Sequence, residues 1–167
     1  MRFKGKLFRA LNPLFAREPL SGHGARLYGG RFNAKGTPAL YTSTSIATAL
    51  REANQVGALQ PTTLVCYDAD IECVFDTRNE MALKRFGIDA KDLADPAWRD
   101  RMTTSSAAPS QQFAARLMAQ GFDALLVRSF AAGATDDDLN LVLWRWGSGP
   151  PASLVLIDEE GRLTPAS

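Results

Sequence analysis

The stretch YGGRFNAKGTPALYTSTSIATALREA, residues 28–53, carries the signals that decide the fold of this chain. Its two adjacent glycines accept backbone conformations with positive φ and therefore favour a tight turn. The segment PALYTSTS that follows has the residue types of a short strand. The hydroxyl cluster from Thr42 to Ser45 can then cap a helix at its N-terminus. The stretch thus predicts a turn, a strand and a helix in immediate succession.

The predicted helix carries an apolar stripe with one glutamate beside it. The residues that share one face at the helical period of about 3.6 residues are Ile46, Ala49, Leu50 and Ala53. We expect this stripe to be buried. None of the residues three or four positions from Glu52 is a cation, so an intrahelical ion pair does not explain this glutamate. Glu52 is then either an ordinary exposed helix residue or a carboxylate at the edge of a pocket.

The rest of the chain mixes strand-like and helix-like segments. Runs rich in Val, Leu, Tyr and Trp predict strands at about 38–43, 62–68, 71–75, 123–130, 140–146 and 153–158. Helices are predicted to begin near Thr44 or Ser45, to cover about 80–86, and to run over about 110–120 before Gly121. Because strands and helices do not alternate regularly, the order favours the α+β class over a doubly wound parallel sheet.

Three further segments have the composition of loops or extensions. The polar stretches at 100–110 and 131–138 predict loops. The tail after Gly147 combines a Pro/Gly turn with one strand, and it is either a final edge strand or a dispensable extension.

The totals describe one ordinary globular domain, residues 1–167, since a chain of this length can bury a single sizeable core. Nineteen Lys and Arg residues against eighteen Asp and Glu give a net charge of +1, which provides no global field for nucleic acid or an acidic membrane. The cluster Arg2, Lys4 and Lys6 predicts a solvated terminal arm. Neither a secretory signal nor a membrane-spanning run is visible, so we expect a cytoplasmic protein.

Several familiar catalytic patterns are missing from the sequence. The single histidine, His23, lies in the loop-like segment SGHG, which argues against a Ser-His-Asp or Cys-His enzyme. Cys66 and Cys73 do not have the spacing of metal ligands, so we expect no metal site. The glycines of GGRFN match neither the dinucleotide-binding fingerprint nor the Walker A loop.

Arginine, tyrosine and glutamate on adjacent short elements favour a different chemistry. The planar fork of Arg31 matches a diphosphate, and Tyr41 offers a face on which a flat cationic ring can stack. The carboxylate of Glu52 can stabilise a developing oxocarbenium ion. These three demands meet in NAD+, whose nicotinamide leaves as a neutral molecule without help from a general acid or a metal. NAD+ is therefore the expected substrate.

Three motifs carry a resemblance to a known family. The motif GGRFN contains Arg31, ALYTSTSIATALREA contains Tyr41 and Glu52, and ALLVRS ends at Ser129, ahead of LN with Asn140. With these motifs, the chain from Arg9 to Trp146 resembles the RES-domain proteins, toxins of bacterial toxin–antitoxin pairs. The family takes its name from an arginine, a glutamate and a serine.

The resemblance implies a compact α+β fold similar to that of ADP-ribosyltransferase toxins, with NAD+ in a cleft between segments of the sheet. It implies growth arrest through cleavage of the nicotinamide–ribose bond, with ADP-ribose passed to water, to phosphate or to a protein acceptor. It also implies a hetero-oligomer with an Xre-type antitoxin that blocks the cleft. The alternative is a non-catalytic module that binds a nucleotide or a partner chain.

The resemblance also implies roles for individual residues. Arg9 and Arg31 would hold the phosphates or adjacent ribose, and Tyr41 would stack on the nicotinamide side, with Tyr28 as a second candidate for that wall. Glu52 would bind a ribose hydroxyl and stabilise the oxocarbenium ion. The residues that would complete the pocket are Ser129 and Asn140. From the residues alone, Ser129 could equally be a strand-end residue and Asn140 a turn residue.

Overall fold

The computed structural model describes residues 1–55 and 57–163, which form one seven-stranded sheet with six short α-helices. The strands are β1 (Phe3–Leu11), β2 (Leu40–Ser43), β3 (Thr63–Ile71), β4 (Val74–Asp76), β5 (Ala124–Arg128), β6 (Leu139–Leu143) and β7 (Ala152–Leu156). The helices are α1 (His23–Tyr28), α2 (Ile46–Ala53), α3 (Glu80–Arg85), α4 (Ala90–Ala94), α5 (Trp98–Ser105) and α6 (Pro109–Ala119), and a 3₁₀ turn covers Pro13–Phe15.

The strands lie in the order β4-β5-β6-β2-β1-β3-β7. All neighbouring strands are antiparallel except β4 and β5, which are parallel. This mixed sheet confirms the predicted α+β class, and its curled form is compatible with the ADP-ribosyltransferase-like fold that the resemblance implies.

The two faces of the sheet bury different cores. On one face the curled strands pack against each other around residues such as Leu7, Tyr67 and Leu141. On the other face, α3, α4 and α6 cover the sheet, and their apolar side chains meet Phe75. The ring of Phe75 makes edge contacts with three other phenylalanines, Phe86, Phe113 and Phe122. Edge-to-face pairs of this kind add about 0.5–1.5 kcal/mol each to the gain from area burial.

The predicted solvated arm at the N-terminus is wrong, because Lys4 and Lys6 belong to β1 and Arg2 directly precedes it. The strand pairs with β3 along its whole length, and the register places Lys4 opposite Asp70 and Lys6 opposite Asp68. Arg2 forms an ion pair with Asp70, and Lys6 with Asp68. The pairing joins residues that are 52 to 68 positions apart in the sequence, so the local run of positive charge gives no sign of it.

Two other expectations about loops need correction. The segment expected as a loop at 100–110 contains most of α5 and the start of α6. Helix α5 buries none of its residues fully, so it lacks the apolar period by which helices are recognised. His23, expected in a loop, is the first residue of α1 and is exposed. The expected loop at 131–138 is confirmed.

The tail forms an edge strand. Strand β7 pairs with β3 from Ala152 to Leu156, and Leu154 is buried against the sheet. Of the two alternatives for the segment after Gly147, the structure therefore supports the edge strand, and residues 164–167 lie outside the described part of the chain.

Candidate active site

The motif GGRFN folds into a tight turn beside the start of β2. Gly29 has a φ of +73°, and the backbone groups of Gly30 and Asn33 bond to each other across the turn. A Cβ on Gly30 would lie 2.4 Å from the hydroxyl oxygen of Tyr41, a distance that no side chain tolerates without movement of its neighbour. Both glycines are therefore required by the shape of the turn. The expected turn is present, and α1 precedes it.

Asn33 and Tyr41 hold the turn from inside. The side-chain amide of the fully buried Asn33 donates to the carbonyl oxygens of Ala25 and Thr37 at 2.8 and 2.9 Å. The Tyr41 hydroxyl donates to Oδ1 of Asn33 at 2.7 Å and accepts from the backbone N–H of Phe32 at 3.0 Å. Burial raises the pKa of Tyr41 well above its ordinary value, so the phenol stays protonated and keeps its role as a donor.

Helix α6 and strand β6 hold the same turn from the other side. The hydroxyl of Ser110 donates to the carbonyl oxygen of Arg31 at 2.7 Å, and the amide of Gln111 donates to that of Gly30 at 2.8 Å. The indole N–H of Trp144, just after β6, donates to the carbonyl oxygen of Phe32 at 2.8 Å. With its backbone fixed on both sides, the turn aims the side chain of Arg31 in one direction.

The guanidinium of Arg31 is fixed against the wall that α4 and α5 form. Its Nη1 donates to the carbonyl oxygens of Leu93 at 3.0 Å and Asp95 at 2.9 Å. The group lies 4.7 Å from the ring centroid of Phe130 and 5.8 Å from that of Trp98. Burial lowers the pKa of Arg31, and the negative charge of Glu52 opposes this shift, so the guanidinium remains a cation that faces a carboxylate.

Glu52 occupies the centre of a polar cluster on three elements. Its Oε1 accepts from the hydroxyl of Ser129, just after β5, and from the amide of Asn140 in β6, both at 2.5 Å. Its Oε2 accepts from the amide of Gln55 at 2.5 Å. Asn140 is itself fixed because its Oδ1 accepts from the hydroxyl of Ser43 at 2.7 Å. The structure thus brings Glu52, Ser129 and Asn140 into direct contact.

Polar residues determine which face of α2 is turned inward. Ser45 caps the helix, as predicted, by accepting from the N–H of Thr48 at 3.1 Å. On the inward face, the hydroxyl of Thr48 donates to Asp138 at 2.6 Å, and Arg51 forms an ion pair with Asp138 at 2.8 Å. These bonds, with those of Glu52, tie the helix to β6 and to the loop before it.

The predicted buried stripe of α2 is therefore wrong. Ile46 is 47% exposed, Leu50 is 36% exposed, Ala53 is exposed, and only Ala49 of the four is buried. The physical reason is that the polar contacts of Thr48, Arg51 and Glu52 set the rotation of the helix.

Arg31, Tyr41, Glu52 and Asn140 line a cleft of about 470 Å³. Among the described residues that line it, Glu52 is the only carboxylate, and the basic residues are Arg31, Arg99 and Arg128. The other polar or aromatic residues that line it are Phe32, Tyr41, Gln55, Trp98, Phe130 and Asn140. The cleft therefore combines cationic donors, aromatic faces and one oriented carboxylate.

Sequence reasoning missed five of these lining residues, and one of them is Arg128, at the end of β5. Trp98 and Arg99 begin α5, the helix whose polar sequence was expected to be mostly loop, and Phe130 follows Ser129 in a segment expected as strand. Gln55 is three residues from Glu52, and this spacing could have signalled a contact between them.

Arg9 and Tyr28 do not lie with the other predicted site residues. Arg9 projects from the opposite face of the sheet, beside Leu7 and Leu11, and its guanidinium donates to the carbonyl oxygen of Pro19 at 3.2 Å. Tyr28, at the end of α1, is 73% exposed. Both residues line a second cavity of about 390 Å³. Their role in substrate binding stays a prediction.

A larger cavity lies elsewhere, and its carboxylate is already paired with an arginine. It measures about 570 Å³ and is bounded by β4, α3 and α6. Its Asp76 forms an ion pair with Arg78 at 2.7 Å, which holds the pKa of this carboxyl below its ordinary range. Because that carboxylate already has a cationic partner, the cleft around Glu52 is the better candidate for catalysis.

A comparison with protein-family models matches the RES domain over residues 6–165. This chain belongs to the RES-domain family. RES domains are found in the toxins of toxin–antitoxin systems. A search of curated proteins gave no significant match to this RES domain. In the described part of the RES domain, no helix is long and apolar enough to cross a bilayer.

Proposed function

We propose that this RES domain is the toxin of a toxin–antitoxin pair and that it cleaves the nicotinamide–ribose bond of NAD+. The observation that carries the proposal is the carboxylate of Glu52, held by Ser129 and Asn140 in a cleft that also contains Arg31. A preorganised negative charge in such a cleft stabilises positive charge that develops on a substrate.

The chemistry follows from the position of this charge. As the C1′–N bond breaks, its electron pair leaves with nicotinamide, which departs neutral, and positive charge develops on the ribose. Glu52 stabilises that charge, and Ser129 and Asn140 keep its carboxylate in one orientation. The acceptor then forms the new bond at C1′ and releases its proton. Water would give ADP-ribose, inorganic phosphate would give a phosphorylated ADP-ribose, and a side chain would give a modified protein.

The rest of the cleft would bind the remainder of NAD+. Its arginines offer donors to the diphosphate, and the rings of Tyr41, Trp98 and Phe130 offer faces to the flat groups. Gly29 and Gly30 line the cleft and the preceding residue, Tyr28, lines the second cavity, so a substrate that also reached Arg9 and Tyr28 would have to extend past this turn.

A protein that consumes NAD+ would be harmful to its own cell without control. Toxins with RES domains generally pair with an antitoxin. We propose that the partner here is an Xre-type antitoxin that covers the cleft in a cytoplasmic hetero-oligomer and that unopposed activity arrests growth.

Release of nicotinamide from NAD+ tests the proposed reaction. We expect release by the wild type and by Glu159→Gln, a control that removes an exposed carboxylate outside the cleft. We expect Glu52→Gln to bind NAD+ but to lose about 100-fold or more in turnover, because its charge acts mainly in the transition state. Absence of release by the wild type, with and without cell extract, would overturn the proposal.

Labelled NAD+ separates the acceptors. Retention of an ADP-ribose label on a protein band in lysate indicates transfer to a side chain, and label found only in small molecules indicates water or phosphate. Tight binding of NAD+ with no turnover in either assay would instead support the non-catalytic module.

A further inference from the structure

We propose that Arg99 is the arginine that binds the diphosphate of the substrate and that Arg31 is a positioning residue that holds the wall carrying Arg99. This inference rests on the proposed function, because it names how the same cleft binds NAD+. The observation that supports it is that the three arginines of the cleft differ in their contacts.

Two of the three arginines already have partners. Nη1 of Arg31 bonds to two backbone carbonyl oxygens, and the guanidinium lies over the ring of Phe130. Arg128 forms an ion pair with Asp136 at 2.9 Å. A diphosphate bound to Arg128 would compete with this ion pair, and one bound to Arg31 would have to use donors other than Nη1.

Arg99 differs from both. It is exposed, it lines the cleft, and its guanidinium lies 4.8 Å from the ring centroid of Trp98. Among the described residues, its side chain has no ion-pair partner and no hydrogen-bond acceptor. Stacking on an indole leaves the edge of a guanidinium open, and that edge matches the geometry of phosphate oxygens.

Arg31 controls where Arg99 lies. The carbonyl groups that it binds belong to the end of α4 and to the link before α5, only a few residues from Trp98 and Arg99. On the same link, Asp95 accepts from the N–H of Ala97 at 2.9 Å and forms an ion pair with Arg101 at 2.6 Å. Loss of Arg31 would release this link from the GGRFN turn and move Trp98 and Arg99 together.

Steady-state kinetics with NAD+ test the role of Arg99. We expect Arg99→Met to raise KM about 10–100-fold with little change in kcat, because a charge-assisted contact to the diphosphate is lost. Arg26→Met is the matched control, since it removes an equal charge from the exposed side of α1. ADP-ribose as a competitive inhibitor provides a second measurement, and its inhibition constant should rise by a similar factor only in Arg99→Met.

Hydrogen exchange and a double variant test the role of Arg31. In the absence of substrate, we expect Arg31→Met to speed amide exchange in the segment from Leu93 to Arg101, and Arg99→Met to leave that segment unchanged. Because Arg31 acts through Arg99, adding Arg31→Met to Arg99→Met should raise KM far less than Arg31→Met does alone. Arg31→Lys should not rescue the exchange, since an ammonium cannot reproduce the stacked planar group.

The outcomes separate this inference from the proposed function. Absence of NAD+ cleavage and binding in the wild type would overturn both the proposed function and the role of Arg99. Cleavage by the wild type with the same KM in Arg99→Met as in Arg26→Met would overturn the role of Arg99 alone. Unchanged exchange in Arg31→Met, or additive effects in the double variant, would overturn the positioning role.

Discussion

At the scale of single residues, the orientation of Glu52 depends on three neutral donors, two of which bond to Oε1. We expect Ser129→Ala to reduce kcat about 10-fold or more with a small change in KM, because Oε1 keeps only the amide of Asn140 and the carboxylate gains freedom to rotate. Rate measurements with NAD+ check this. Ser153→Ala, a substitution in β7 outside the cleft, is the control. A larger effect on KM than on kcat would show that Ser129 binds substrate instead.

The turn glycine gives a prediction about stability at the same scale. We expect Gly30→Ala to lower the free energy of unfolding by about 1–3 kcal/mol, since its Cβ would displace the hydroxyl of Tyr41 and the side chain of Asn33. Gly24→Ala is the control, because a Cβ there meets nothing within 4 Å and alanine favours the helix α1. Urea denaturation of both variants measures the difference, and equal stabilities would contradict the role given to the turn.

At the scale of elements, α2 shows where sequence reasoning ends. The cap at Ser45 and the helix itself follow from local signals and were predicted. The buried face of α2 does not follow from local signals. The rotation of the helix about its axis depends on contacts with Ser129, Asn140 and Asp138, which lie far along the chain. Helix α5 was missed for the related reason that the side chains it brings to the cleft form no apolar period. The sequence identifies the motif residues, but the residues that hold them in position are seen only from the tertiary contacts.

Asp138 links the stability of α2 to pH. The N–H of Thr135 and the hydroxyl of Thr48 hold the pKa of its carboxyl far below the ordinary value of about 3.9. A lowered pKa in the folded state means that the stabilisation is complete above that ordinary value and is lost as the pH falls below it. We expect Asp138→Asn to lower the midpoint of thermal unfolding at neutral pH and to converge with the wild type in acid.

The exposed Asp136, which lies on the same loop as Asp138 and pairs with Arg128 at the end of β5, supplies the control for this titration. Asp136→Asn should leave the acid dependence of the midpoint close to that of the wild type, since surface pairs contribute little. A constant difference between wild type and Asp138→Asn over the whole acid range would contradict the role of the Asp138 charge.

At the scale of the whole molecule, the α+β class follows from the order of predicted segments, but the presence of β1 inside the sheet does not. Strand β1 lies between β2 and β3, and its alternating basic side chains read locally as a solvated arm. On its other face, Leu7 and Leu11 are buried in a core to which residues of β2, β3, β6 and β7 also contribute. Pairing over such separations is a property of the complete sheet and leaves a weak local signal.

The last strand tests how far the sheet depends on its edge. We expect truncation after Gly147 to lower stability strongly and to cause association, because loss of β7 uncovers the edge of β3 and the apolar neighbours of Leu154. Thermal unfolding and light scattering measure both effects, with truncation after Leu163 as the control.

If the shorter chain does not fold, Leu154→Ala gives a milder test and should lower the free energy of unfolding by about 2–5 kcal/mol through the cavity that it leaves. Wild-type stability in Leu154→Ala would make β7 a dispensable extension, and nicotinamide release should then survive its removal.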